Sequence, residues 1–357
     1  MDIQNYICPN CSAPLKFDSK IQKLHCEYCD SAFTMDEIKI IMDAQDDSNE
    51  GTNINWKEKE EEDISDDFKN FKAYNCPSCG AEIVADENTT ATNCIYCGNP
   101  TIIPKTAEGI FKPDYIIPFK LTKEDAKKAL KDFYKKKLLL PKAFKTENQI
   151  EKITGLYVPF WLFDCEGNAD INYTCTEVSQ WSDSDYNYTK TSYYAVRRSG
   201  NIAFEKIPVD GSSKMPDNFM DAIEPFDYSD FEPFNISYLS GYMADKYDVD
   251  SNQSQPRANE RVENTIEKKF RDTVTGYSTV HEGKKYIDMQ GIDTSYVLLP
   301  VWILNTKYKD KMYTFAMNGQ TGKLVGTLPC SVGRVLATGA SITAATMIIG
   351  NIILHFM

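Results

Sequence analysis

Eight cysteines in the first hundred residues carry the plainest chemistry in this sequence. They form four Cys-x-x-Cys pairs: Cys8 with Cys11, Cys26 with Cys29, Cys76 with Cys79, and Cys94 with Cys97. Fourteen residues separate the knuckles within each set of four. A Cys-x-x-Cys knuckle turns two thiolates toward one point, and the loop returns a second knuckle to close a tetrahedron. Four thiolates at about 2.3 Å from one Zn2+ leave no open position for water, so both sites are expected to be structural rather than catalytic. Redox-active dithiols or bound iron are the competing uses of such pairs. A segment this short has little core of its own, and metal binding would supply its folding free energy.

The two sets are copies of one another. Residues 6–29 and 74–97 align without gaps, and Tyr6/Tyr74, Pro9/Pro77, Ala13/Ala81, Asp18/Asp86 and Tyr28/Tyr96 coincide as well as the cysteines. Identical internal spacing indicates a duplicated unit. His25 lies beside a ligand, but with four thiolates present it reads as a surface side chain. Cys165 and Cys175 read as small buried hydrophobes, and Cys330 as an isolated thiol.

Composition limits what else the chain does. Its 357 residues are 42% hydrophobic and 12% aromatic, enough for a real core and against wholesale disorder. There are 52 acidic and 39 basic side chains, net −13, which argues against broad binding to phosphate backbones. Residues 74–101 contain no Lys or Arg, and the earliest arginine is Arg197. Three histidines, His25, His281 and His355, supply few general bases. Asp164, Glu166 and Asp170 read as turn and surface carboxylates, so no catalysis is expected. An odd total of eleven cysteines, clustered toward one end, is poor material for a disulfide framework. With no export signal visible at the N-terminus, a reducing cytosol is expected.

The elements that must hold these residues follow from patterning. Zinc ribbon 1 is assigned to 1–33 and zinc ribbon 2 to 74–103. Between them, 34–73 carries thirteen acids against five lysines and reads as a solvated linker with a short helix from Met35 to Met42. An α+β body with antiparallel sheet follows, in two halves, 104–205 and 206–329. Thr122-Lys-Glu-Asp125 opens a helix whose apolar residues run from Ala126 to Tyr134, and a second short helix is expected near Glu147–Lys152. Strands are expected over Ala169–Val178 and Tyr186–Val196, with a hairpin signal at Ser199-Gly200-Asn201. A helix over 257–273 precedes further strands from Tyr277 to Thr327, with turns at Lys309-Asp310 and Asn318–Gly322. Leu156–Phe163 echoes Val297–Leu304, which reads equally as two related halves or as two buried strands of similar composition. Gly319-Gln-Thr-Gly322-Lys323 lacks the first glycine of a phosphate-binding loop and reads as a turn between strands.

Two segments point to a membrane. Residues 335–357 contain no Asp, Glu, Lys or Arg, enough for one helical span, so a transmembrane helix is assigned to 334–357. Arg334 and Lys323 precede the uncharged run from Val335, which fits a single-pass C-terminal anchor with the bulk of the chain cytoplasmic. Residues 120–145 hold ten lysines and three acids. They read as a solvated helix face, as a site for anionic headgroups, or as a site for an acidic partner.

The chain resembles the bacterial membrane-anchored proteins with transcription-factor-IIB-type zinc ribbons, often labelled as similar to the primosomal replication-restart helicase. The resemblance lies in Tyr74-Asn-Cys-Pro-Ser-Cys-Gly-Ala-Glu-Ile83, Cys94-Ile-Tyr-Cys-Gly98, Ile116-Ile-Pro-Phe119, Tyr157-Val-Pro-Phe-Trp161, Leu299-Pro-Val-Trp302 and Tyr313–Lys323. It implies a non-enzymatic adaptor in envelope maintenance that docks flotillin-like (SPFH-domain) and phage-shock-type coat proteins at the cell membrane. The helicase label finds no support in the residues. The alternative is a nucleic-acid-binding or transcription-related zinc protein, which a salt titration with DNA and RNA would reveal.

Overall fold

The computed structural model describes residues 6–9, 11, 13–18, 21–38, 51–59, 71–86, 93–99, 103–105, 111–135, 137–309 and 311–356. The first four-cysteine segment forms β1 (Lys16–Asp18), β2 (Lys23–His25) and β3 (Ala32–Phe33), antiparallel in that order, with a helical turn at residues 35–38. β4 (Gly51–Asn55) follows, and the second segment supplies β5 (Phe71–Asn75), β6 (Glu82–Asp86) and β7 (Ile103–Lys105). Next come β8 (Tyr115–Ile116), α1 (Lys123–Lys135), α2 (Glu147–Ile150) and two long strands, β9 (Thr154–Ser182) and β10 (Asn187–Asp210). α3 (Asp217–Ile223), β11 (Glu232–Pro233), β12 (Met243–Asp245) and α4 (Ser251–Asp272) lead to β13 (Thr279–Tyr308), β14 (Lys311–Asn318) and β15 (Leu324–Gly326). α5 (Val332–Phe356) is the last element. The body is therefore mostly sheet, and largely antiparallel.

The chain divides into two units that interleave along the sequence. One comprises Met1–Lys57, Phe163–Ile207 and Pro256–Asp293; the other comprises Glu58–Leu162, Pro208–Gln255 and Thr294–Met357.

In the second unit the two apolar runs that echo one another occupy matching positions, each pairing with a short strand from elsewhere in the chain. β8 leads through α1 to β9, yet pairs in parallel with β13, Tyr115 opposite Val297. β12 leads through α4 to β13, yet pairs in parallel with β9, Met243 opposite Leu156. The correspondence extends to side chains. Trp161 meets Tyr247 at a ring separation of 5.1 Å and 65°, and Trp302 meets Phe119 at 5.1 Å and 63°. The Trp161 indole donates to the Val249 carbonyl at 2.9 Å, and the Trp302 indole to Leu121 at 3.2 Å. Gly211 N–H bonds the Pro159 carbonyl at 2.8 Å, and Gly319 N–H bonds Pro300 at 2.8 Å. The helix starts correspond too. Thr122 and Asp125 form one reciprocal capping box, and Asp250 and Gln253 form the other. The residues from Leu156 to Leu162 and from Tyr296 to Leu304 are buried without alternation, as strands covered on both faces must be.

In the first unit the later part of β9 alternates, burying Cys165, Ala169, Ile171, Tyr173 and Cys175. α4 buries Ala258, Val262 and Ile266 at four-residue spacing. Its exposed flank is tied to β13, where Lys285 pairs with Glu263 at 2.5 Å and with Glu267. This helix begins at Ser251 rather than 257, because the Asp250–Gln253 capping box starts it earlier.

Two further expectations give way here. The linker assigned to 34–73 is not solvated throughout. Gly51–Asn55 pairs in parallel with Tyr286–Gln290, and Trp56 packs on Phe163 at 4.9 Å while donating to Asn259 at 2.6 Å. A local excess of acids hides a short strand with one strong aromatic anchor. Residues 39–50 and 60–70 lie outside the described residues, including the end of the helix expected from Met35 to Met42. The hairpin expected at Ser199-Gly200-Asn201 is absent, and β10 runs straight through it. The turn lies earlier, where the Asp183 carboxylate accepts from the N–H groups of Asp185 and Tyr186 at 2.9 and 2.8 Å. This Asx-type closure outcompetes a Ser-Gly-Asn sequence whose glycine is extended.

α5 has 25 residues, about 37 Å of helix, against a hydrocarbon core of about 30 Å. Val332–Asn351 is apolar enough to span a bilayer, and none of that stretch is buried. Its hydroxyls are satisfied internally: Thr338, Ser341 and Thr343 donate to the carbonyls of Arg334, Ala337 and Gly339.

Candidate metal centres

Each predicted set of four cysteines converges. Within each set the sulfur atoms all lie within 4.8 Å of one another. Cys8 and Cys29 are 3.6 Å apart and Cys11 and Cys26 3.4 Å; Cys76 and Cys97 are 3.5 Å apart and Cys79 and Cys94 3.6 Å. Four sulfurs at about 2.3 Å from one ion stand about 3.8 Å apart, so both sets fit a tetrahedral metal with slight expansion.

The knuckles owe their shape to backbone bonds. Cys76 N–H bonds Ala81 and Gly80 N–H returns to the Cys76 carbonyl, at 3.0 and 2.8 Å; Cys94 repeats this with Asn99 and Gly98, at 2.8 and 2.9 Å. The reversal needs a left-handed residue, supplied by Gly80 and Gly98, each at φ 72°. In the first copy Asp30 takes this role at φ 60°. Asp30 also accepts from His25 Nε2 at 2.8 Å, which directs that ring to a carboxylate and not to the thiolates.

Ligand electrostatics also suit a cation. The Ser31 hydroxyl and N–H hold the Cys29 thiol down at about 6. Burial pushes Cys94 well up, so four thiolates need a cation to coexist there. Cys165 is buried away from both sets and is pushed up to about 12 by desolvation, in keeping with an inert thiol.

The two copies differ in what surrounds them. The first has its own small core of Cys8, Leu15, Leu24, Cys26 and Ile38. The second is built into the body: Cys76, Ala81, Cys94 and Tyr96 belong to the same buried cluster as Leu156, Phe160 and Leu299. β6 pairs with β12, Ile83 opposite Asp245, and the Asn305 amide donates to the Ile95 carbonyl at 2.7 Å. The second four-cysteine segment, within 74–103, thus shares its sheet and its buried cluster with the body. Its apolar Ile83-Val84-Ala85 supplies a sheet neighbour where the first copy has Leu15-Lys16-Phe17.

Sequence reasoning did not find the polar anchor of this junction. Tyr96, between the ligands Cys94 and Cys97, donates to buried Asp245 at 2.5 Å, and Ser212 donates to the same carboxylate at 2.6 Å. Burial pushes the Asp245 carboxyl up to about 7, against the pull of these two donors. Its only sequence signal is an isolated Asp in the apolar-flanked Met243-Ala-Asp245.

The chain is 36% identical over 348 residues to the uncharacterized protein YdjG of Bacillus subtilis (strain 168). The match spans 97% of this chain and 96% of that protein. The chain belongs to the YdjG family. No protein-family profile matches it, and no solved structure does. The relative's name assigns no activity, so function must be argued from the sites themselves.

Proposed function

We propose that this member of the YdjG family is a non-enzymatic adaptor, held at the membrane by α5 and folded around two structural Zn2+ ions. Its partners are proteins, and the flotillin-like and phage-shock-type coat proteins implied by the resemblance are the ones to test first. One observation carries the reading. Tyr96 is 7% exposed and docked on Asp245, whereas Tyr28 at the duplicated position is 78% exposed. Ile7, Phe17 and Ile21 are exposed on the same small ribbon. One copy therefore supports the body, while the other presents an apolar and phenolic face suited to a partner. With Lys323 before α5 and Arg334 in its first turn, the basic charge lies on the body's side of the helix, and the body is cytoplasmic.

The test is affinity capture from detergent-solubilised membranes with the full chain, a Phe17→Ala/Tyr28→Ala variant, and a chain cut before Val335. Loss of the flotillin-like or coat-type protein from the double variant is expected. Full retention by the double variant would sink the adaptor role of the first ribbon.

A further inference from the structure

We infer that the end of α1 and the loop after it form a second membrane contact, binding anionic phospholipid headgroups where α5 enters the bilayer. The inference rests on reading α5 as a membrane helix.

Three hydrogen bonds fix the place. Ser331 N–H donates to the Leu139 carbonyl at 2.8 Å, and Arg334 Nη1 donates to the carbonyls of Leu138 and Leu140 at 3.0 and 2.8 Å. They join the first turn of α5 to residues 138–140, so whatever surrounds the start of that helix also meets this loop. The loop is split in character. Leu140 is buried in the core with Leu130 and Phe144, whereas Leu138 is 76% exposed. At the helix start Val332, Val335 and Leu336 are also exposed. An exposed leucine tied to an apolar helix entry has a natural place in the interfacial zone.

The charges select the lipid. On one flank of α1 the lysines are neutralised within the fold, Lys127 by Glu151 at 2.6 Å and Lys131 by Glu147 at 2.7 Å, while Lys123 and Lys128 have no ion pair among the described residues. Toward the loop the lysines draw closer together in sequence. Lys135 has Asp132 at 2.8 Å, but Lys137 and Lys145 have no carboxylate in ion-pair range among the described residues. Lys137 lies over the Phe133 ring at 5.2 Å, and Lys145 Nζ contacts the Lys137 carbonyl at 3.5 Å. The helix dipole favours lysines at this end. It does not account for exposed Leu138 or for the bonds to α5. Each Lys near an anionic surface multiplies binding about fivefold.

Amine-acetylation footprinting of the full chain tests this in three settings: neutral detergent, phosphatidylcholine nanodiscs, and phosphatidylcholine nanodiscs containing phosphatidylglycerol. Lys135, Lys137 and Lys145 are expected to react about fivefold more slowly in the anionic discs than in the neutral ones. Lys123, about 18 Å away along α1 and beyond a Debye length, is expected to be unchanged. Equal rates in both discs overturn the inference. So does protection already complete in detergent, which assigns the lysines to an acidic segment or partner. Carbonate extraction of proteoliposomes separates the underlying reading: release means α5 does not span and both ideas fall, whereas retention with unprotected lysines sinks only the lipid contact.

Discussion

Tyr96 and Asp245, 149 residues apart in sequence, are joined by a buried 2.5 Å hydrogen bond from phenol to carboxylate. The donor sits inside a Cys-x-x-Cys knuckle and the acceptor on a strand of the body. β6 pairs with that strand, so side chain and backbone act at one junction. Tyr28, at the matching position of the first set, makes no such contact among the described residues and is exposed. The two four-cysteine sets thus sit in different mechanical settings, one built into the body and one on a small core of its own.

Replacing Tyr96 with Phe should cost about 1–3 kcal/mol, because Asp245 keeps only Ser212 as a side-chain donor while remaining buried. The pH dependence follows from the same carboxyl. Its folded value lies near 7, well above the unfolded 3.8, so the native state binds the proton more tightly. Stability therefore falls as pH rises from about 4 to about 7, by up to about 1.4 kcal/mol per unit, and levels off above. Asp245→Asn should flatten this slope in urea titrations between pH 5 and 8. A variant that tracks the wild type across that range would show that Asp245 does not titrate there.

Metal removal should separate the two sites. Cys76→Ser with Cys79→Ser should lower bound zinc from two ions to one and destabilise the body by more than about 3 kcal/mol, since these ligands sit in its core. Cys8→Ser with Cys11→Ser should remove the other ion and leave the main unfolding transition nearly unmoved. Zinc content by mass spectrometry and calorimetric melting check both. Equal destabilisation by the two pairs would contradict the separate cores.

The ligand sets were legible because Cys-x-x-Cys spacing encodes geometry locally. α1 was legible because Thr122 and Asp125 announce it, and Asp250 with Gln253 carries the same signal for α4. The β8/β12 exchange was not legible: a parallel pair between Tyr115 and Val297 leaves no local trace, and only the Trp161/Trp302 echo hinted at it. Asp245 was hidden for a related reason. One acid on a short strand acquires meaning only when Tyr96 arrives from far away in the chain.

Gly167 and Gly200 both lie in long strands and should respond oppositely to alanine. A Cβ at Gly167 would stand 2.1 Å from the Asp288 carbonyl oxygen, a backbone atom that cannot step aside alone. Gly167→Ala should cost about 2–3 kcal/mol or more. Gly200 has nothing within 4 Å, and Gly200→Ala should be neutral or slightly stabilising. Denaturant midpoints of the two variants decide the matter, and an equal loss would mean that strand glycine entropy, not the close approach, governs both.

Asn318 gives the sharpest test of the turn after β14. It is fully buried, and its amide nitrogen donates to the carbonyls of Ile223 and Pro225 at 3.1 and 3.3 Å. Its amide oxygen accepts from the N–H groups of Gln320 and Thr321, both at 2.9 Å. Asn318→Ala leaves all four backbone groups short of a partner and should cost about 3 kcal/mol. Asn318→Asp keeps the shape and the acceptor but turns a second carboxylate oxygen toward two carbonyls. Repulsion there and the cost of burying a charge should make Asp at least as damaging as Ala at neutral pH, despite its closer shape. Lowering the pH should rescue Asp and not Ala, because a protonated carboxyl regains one donor. Thermal melts of both variants at pH 5 and pH 8 measure the difference, and an Asp variant as stable as wild type at pH 8 would show that the amide donors carry no weight.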